Sequence, residues 1–181
     1  MLLLNLFPSC FLKKVKDLIR LVGNEDYFLT KAIYFDKPKT SNWFVSYHQD
    51  LSISVNQKED LPGYTKWTEK RGQIGVIPPV SILENIITLR IHLDDTTEKN
   101  GALKVIPTSH NSGILRKESI SLTNEVICNV KRGSAMLMKP LTMHASGRSQ
   151  GNSNRRVIHL EFSSEQLLPP LEWRERMPIF V

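Results

Sequence analysis

Cysteine is scarce in this sequence: among 181 residues only Cys10 and Cys128 occur, far apart and without a C-x-x-C spacing. That excludes a disulfide scaffold, a thiolate zinc site and a redox pair, and it fits the reduced thiols of the cytoplasm. Glycine and proline, at 9 and 10 residues, follow no period, which excludes collagen-like and low-complexity arrays. No apolar run reaches the roughly 18 residues of a membrane span. The opening MLLLNLFPSCFLKK carries no Lys or Arg ahead of its apolar stretch and is interrupted by Pro8, so it is not read as a secretory leader. Clustered positive charge is also missing. The net charge is +6, yet Lys13-Lys14, Lys131-Arg132 and Arg155-Arg156 stand as isolated pairs with no basic arm, and nucleic acid is not expected as a partner.

What is present is an ordinary globular composition, 40% apolar and 23% charged, which predicts one domain over 1–181. Phe11, Val15, Ile19 and Val22 recur at helical spacing and Gly23 follows as a stop, so residues 1–29 read as a helical lead-in. Downstream come short β-rich runs bounded by turn residues, at 30–35, 43–50, 86–93, 102–106, 125–130, 134–138 and 155–162. Arg132-Gly133 predicts a hairpin between the 125–130 and 134–138 runs. The expected fold is mainly β, a double-stranded β-helix (jelly-roll, cupin-like) with a flanking N-terminal helix. Residues 51–85, with Pro62-Gly63, Gly72, Gly75 and Pro78-Pro79, read as one long loop and a possible lid.

Five histidines can be weighed singly: His48, His92, His110, His144 and His159. His48 and Asp50 are two apart in a predicted strand, so alternation puts them on one face. With a third ligand they would complete a 2-His-1-carboxylate triad that leaves three coordination positions open; alone, they read equally as a hydrogen-bonded pair at a strand end. His144 precedes a Gly/Ser/Asn loop and Arg155 lies eleven residues on, offering a third ligand and a cationic fork for a carboxylate, or simply a loop histidine and a surface ion pair. His110 competes as third ligand. His92 and His159 lie in strands and read as packing or hydrogen-bonding residues, and Asp94 and Asp95 as strand-end and turn residues.

Four motifs in order carry a resemblance: His48-Gln49-Asp50; Leu93-Asp94-Asp95 with Asn100-Gly101-Ala102-Leu103; Pro107 to Gly113; and His144-Ala145-Ser146-Gly147 with Arg155. From about Tyr34 to Phe162 the chain resembles the phytanoyl-CoA dioxygenase family of iron(II)/2-oxoglutarate oxygenases. The resemblance implies that His48, Asp50 and His144 ligate Fe(II), that Arg155 pairs with the distal carboxylate of 2-oxoglutarate, and that Ser146 hydrogen-bonds the cosubstrate. It chooses Arg155 over Arg156 by its offset from His144, alternation sending the two to opposite faces. His110 becomes part of a turn element, and Thr108 stands where the family has Gly, so that turn is expected to be altered. Implied too are O2 as cosubstrate, release of succinate and carbon dioxide, and a small-molecule substrate. With Asp50 present, where related halogenases have Ala or Gly, the resemblance implies hydroxylation. A degenerate member, or a cupin-like metal-binding protein without oxygenase activity, is the competing expectation.

Overall fold

The computed structural model describes residues 9–38, 43–116, 121–149 and 154–180. Here the chain forms two compact units from interleaved stretches: Met1–Ala32 with Ser52–Ile87 and Leu160–Val181, and Ile33–Leu51 with Thr88–His159.

In the first unit, helix α1 (Ser9–Val22) buries Val15 and Ile19 of its apolar stripe and ends at Gly23, whose amide bonds Ile19 O at 2.8 Å. A Cβ at Gly23 would lie 2.8 Å from the Tyr27 ring, so close approach rather than backbone conformation selects glycine there. The start of β1 (Phe28–Lys37) pairs antiparallel with β12 (Met177–Pro178). Strands β3 (Ile53–Val55), β4 (Thr65–Lys70) and β5 (Gln73–Ile77) form a separate antiparallel sheet in the order β3-β5-β4, followed by the short helix α2 (Val80–Glu84). The segment 51–85 is therefore not one long loop. Its strands escape a sequence reading because β3 is three residues long and β4 is exposed at all but Trp67, leaving no apolar alternation to see. The interior of this unit is apolar apart from Thr30, Glu161 and Ser163, and Lys31 answers Glu161 at 2.8 Å.

The second unit holds β2 (Val45–His48), most of β6 (Ile87–His92), β7 (Leu103–Val105), β8 (Val126–Cys128), β9 (Ala135–Met138), β10 (His144–Ser146) and the start of β11 (Arg155–Ser163). One sheet runs β2-β10-β7-β8; in the other the order is β12-β1-β11-β6-β9. This is the expected mainly β, jelly-roll architecture. The expected hairpin across Arg132-Gly133 is absent: β8 pairs with β7, β9 pairs with β6, and the turn carries the chain from one sheet to the other. Asp95 accounts for the change, because its carboxylate accepts the Arg132 amide at 2.8 Å and the Lys131 ammonium at 3.1 Å, while Gly133 N bonds His92 O.

Here nearly all the buried polar side chains of the described residues are found, which sets this interior apart from an ordinary core. Strand β6 shows how. Ile87, Leu89 and Ile91 alternate with Thr88, Arg90 and His92, a pattern that usually marks one wet face, yet all six residues are buried. Its polar face lines an interior.

Thr108 adopts φ 63°, ψ −3°, so the left-handed turn is kept without the glycine and is not altered as expected. A β-branched residue there is strained by about 1 kcal/mol. Thr108→Gly is expected to raise the melting temperature by about 2–4 °C in thermal unfolding, with no change in metal binding.

Candidate metal centre

The sheet register builds the centre. His48 closes β2 and His144 opens β10, and the two are directly opposite across that antiparallel pair, ring centroids 4.2 Å apart. A register shift between His144 and Ser146 bends β10 beside them, a common device where a strand must aim a side chain. Asp50 follows β2, its amide held by Pro140 O at 2.9 Å. Between them Gln49 turns the other way: its amide nitrogen donates to Leu141 O and Gly113 O, and its oxygen accepts the Leu115 amide. Two loops, around 113–115 and 140–141, are thus clamped to the H-x-D turn. Ser109 does the same for His144, accepting the Met143 amide at 2.8 Å while donating to Ile106 O.

His48, Asp50 and His144 each present a ligand atom within 4.8 Å of the others, and His92, His110 and His159 fall outside this group. Nε2 of His48 is 3.5 Å from one Asp50 oxygen and Nε2 of His144 is 3.7 Å from the other. Both rings donate Nδ1–H to a backbone carbonyl, His48 to Ser46 O at 2.9 Å and His144 to Thr142 O at 2.8 Å. Those bonds leave each Nε2 turned toward the carboxylate, the orientation that metal-ligating imidazoles take from their outer partners. The Asp50 hydrogen bond raises the His48 pKa, whereas burial lowers that of His144. Burial pushes the Asp50 carboxyl up, but His48, His144 and His159 outweigh it and hold the group well below the usual carboxylate range. Two imidazoles and a carboxylate, with no fourth protein ligand among the described residues, match a non-haem iron(II) triad and not a closed structural zinc site.

Arg155 and Arg156 part company as alternation requires. Arg156 is partly exposed and forms a two-pronged ion pair with Asp94, at 2.7 and 2.9 Å. Arg155 is buried, has no ion pair among the described residues, and its Nε lacks a partner. Ser146 shares the His144 face of β10 and donates to Gly101 O at 2.9 Å, so it can donate to a bound ligand only by releasing that carbonyl.

Lys37 is the residue the sequence reading missed. It is 1% exposed, donates to Gly147 O at 2.7 Å, and has the Trp43 ring 5.4 Å away. Burial, with Arg155 next in effect, pulls its ammonium down to about 8. The predicted strand stopped at 35, whereas β1 runs on to Lys37, in alternation with Ile33 and Phe35. A Lys in step with two apolar residues was the available signal. Gly101 makes room for it: at φ +83°, a Cβ there would lie 2.7 Å from Gly147 O and 3.0 Å from Lys37 Nζ.

A family profile described as phytanoyl-CoA dioxygenase matches residues 5–157. No curated protein sequence matches the chain. Among solved structures, EctD from S. alaskensis in its apo form has a TM-score of 0.61 at 19% identity, covering 85% of this chain and 51% of its own. EvdO2 from Micromonospora carbonacea var. aurantiaca, complexed with 2-oxoglutarate, has a TM-score of 0.57 at 16% identity, over 92% of this chain and 68% of its own. The non-haem monooxygenase ThoJ in its nickel complex has 0.56 at 15% identity, over 89% of this chain and 52% of its own. At such identities the likeness is one of fold, and the chain spans about half the length of ThoJ and EctD. No helix among the described residues is long and apolar enough to cross a membrane.

Proposed function

Because the chain belongs to the phytanoyl-CoA dioxygenase family, we propose that it is an iron(II)/2-oxoglutarate-dependent dioxygenase that hydroxylates an unactivated C–H bond of a small molecule. The observation that carries this reading is the convergence of His48, Asp50 and His144 with both Nδ1 atoms tied to backbone carbonyls. In this reading His48, Asp50 and His144 would hold iron(II). Bound there, iron(II) and 2-oxoglutarate supply the oxidising chemistry, with succinate and carbon dioxide as co-products. The chain contributes orientation and charge. Ser46 O and Thr142 O keep the Nδ1 protons in place, and Asp50 stays ionised. Arg155 and Lys37 receive the distal carboxylate, which gives a buried cation the partner it lacks. Ser146, hydrogen-bonded to Gly101 O, holds the turn that leaves room for Lys37. The compartment is the cytoplasm, where Cys10 and Cys128, both free, stay reduced.

Anaerobic titration with Fe(II) and then 2-oxoglutarate tests this reading. A weak visible charge-transfer band is expected from the chelate; metal binding without a band would indicate a cupin-like or degenerate metal-binding protein instead.

Lys37 adds a pH signature. Burial, with Arg155 opposing its charge, pulls the ammonium down to about 8, while Gly147 O accepts a hydrogen bond from it. A dianion binds the protonated form, so 2-oxoglutarate affinity is constant below that pH and falls above it. Lys37→Arg, which cannot lose its charge, is expected to abolish the fall in calorimetric titrations of the zinc(II)-loaded protein.

A further inference from the structure

Four buried side-chain atoms have no hydrogen-bond partner among the described residues: Thr88 Oγ1, Arg90 Nε, His92 Nε2 and Arg155 Nε. They are not scattered. Thr88, Arg90 and His92 occupy one face of β6, and Arg155 belongs to the neighbouring strand β11. Arg90 is 6% exposed, its Nη1 donates to His159 Nδ1 at 2.9 Å, and its guanidinium lies 5.5 Å over the Phe35 ring. His92 Nδ1 is 2.7 Å from Thr96 Oγ1, while that hydroxyl is 3.5 Å from Asp94 O. With Thr96 Oγ1 donating to Asp94 O, Nδ1–H of His92 donates to that hydroxyl, and Nε2 carries a hydrogen only in the other tautomer.

The charges around these donors do not cancel. Burial and Arg155 bring Arg90 down to about 10, and burial with Arg90 and Arg155 brings His92 down to about 4. Lys37, Arg90 and Arg155 are three buried cations, none in an ion pair among the described residues, and Asp50 is the acid that acts on Arg90. On the reading above, iron(II) adds two positive charges and 2-oxoglutarate two negative ones, which leaves this interior two charges positive. Buried charge of that size calls for a counter-ion.

We propose that Arg90, with Thr88 beside it on β6, seats a carboxylate separate from the one held by Arg155, so that the substrate is a carboxylic acid. This rests on the oxygenase reading and extends it. Phe35 and Ile33 give the acid its second contact: they share a face of β1 with Lys37, each is 36% exposed, and Phe35 lies under the Arg90 guanidinium. A charged head on Arg90 would place an apolar body along that pair. A mere salt-bridge role for Arg90 would instead leave an acid against it.

The test is calorimetric binding to the full chain loaded with zinc(II), using hexanoate and 4-phenylbutyrate, each against its amide, in the presence of saturating 2-oxoglutarate. The expected result is one-to-one binding of an acid, at least tenfold tighter than its amide, with 2-oxoglutarate still bound. Arg90→Met is expected to weaken the acid at least tenfold and 2-oxoglutarate less than twofold, and Arg90→Lys to recover part of the loss. Acid and amide binding alike, or neither binding, would overturn the proposal in the wild type, whether or not the variants fold. A tenfold loss of 2-oxoglutarate affinity in Arg90→Met, with no acid binding beside it, would also overturn it and give the seat to the cosubstrate. Failure of the oxygenase reading has its own mark: no 2-oxoglutarate binding in the wild type.

Discussion

His144→Ala is expected to lower iron(II) affinity by on the order of 100-fold or more, since even outer partners of metal ligands change affinity 10–100-fold. The residue is 3% exposed and directly opposite His48, so no neighbouring side chain can take its place without moving a strand. The loss is separable from misfolding. Metal at about 100 times its dissociation constant stabilises a protein by about 2.7 kcal/mol, so the wild type should melt higher with metal and the variant should not. In the metal-free state the two should melt within a few degrees, because what is removed is a neutral ring with one backbone hydrogen bond. His110→Ala is the control. That residue lies in the 3-10 turn Ser109–Ser112, outside the donor group, and its loss should leave the metal-dependent rise intact. Wild-type affinity in His144→Ala, or its loss in His110→Ala, would discard the assigned triad.

The jelly-roll class and its main strands were legible because the apolar alternation of β1, β6 and β11 survives in sequence. The polar half of the same alternation was misleading. His92 reads as a packing or hydrogen-bonding residue and nothing in the sequence singles out Arg90, whereas the strand is central and both its faces are covered. Only the sheet order reveals that, and strand order depends on pairings between residues about 50 to 70 positions apart. For the same reason the Arg132-Gly133 hairpin was expected and does not form: the turn is legible, but the capture of its amide by Asp95 is not. His48, Asp50 and His144 could be named as donors from spacing and resemblance, yet their convergence depends on the β2–β10 register, and the hydrogen bonds that orient the rings come from backbone atoms no side chain announces. Lys37 was lost to a strand end drawn two residues early, within the usual uncertainty of such boundaries.

Arg155→Met and Arg156→Met, one position apart, are expected to give opposite results. Hydrogen bonds to charged groups are worth about 1.5–3 kcal/mol, so loss of the Arg155 fork should weaken 2-oxoglutarate by up to about 100-fold. Arg155→Lys should recover only part of this, a point charge in place of a two-pronged donor. Stability should move the other way. Arg155 is a buried cation with no ion pair among the described residues and with an unused Nε, so an apolar side chain of similar length should leave the cosubstrate-free protein as stable or raise its melting temperature. Saturating 2-oxoglutarate should then reverse the order, lifting the wild type past the variant. Arg156 is half in solvent, and its pair with Asp94 is of the kind that contributes about 0–1 kcal/mol. Its replacement should leave 2-oxoglutarate affinity within about twofold and shift melting slightly downward, with or without ligand. A crossing of the melting curves for position 155 and none for 156 is the signature of a cation kept buried for a ligand. A cation kept for the fold would lose stability in both conditions.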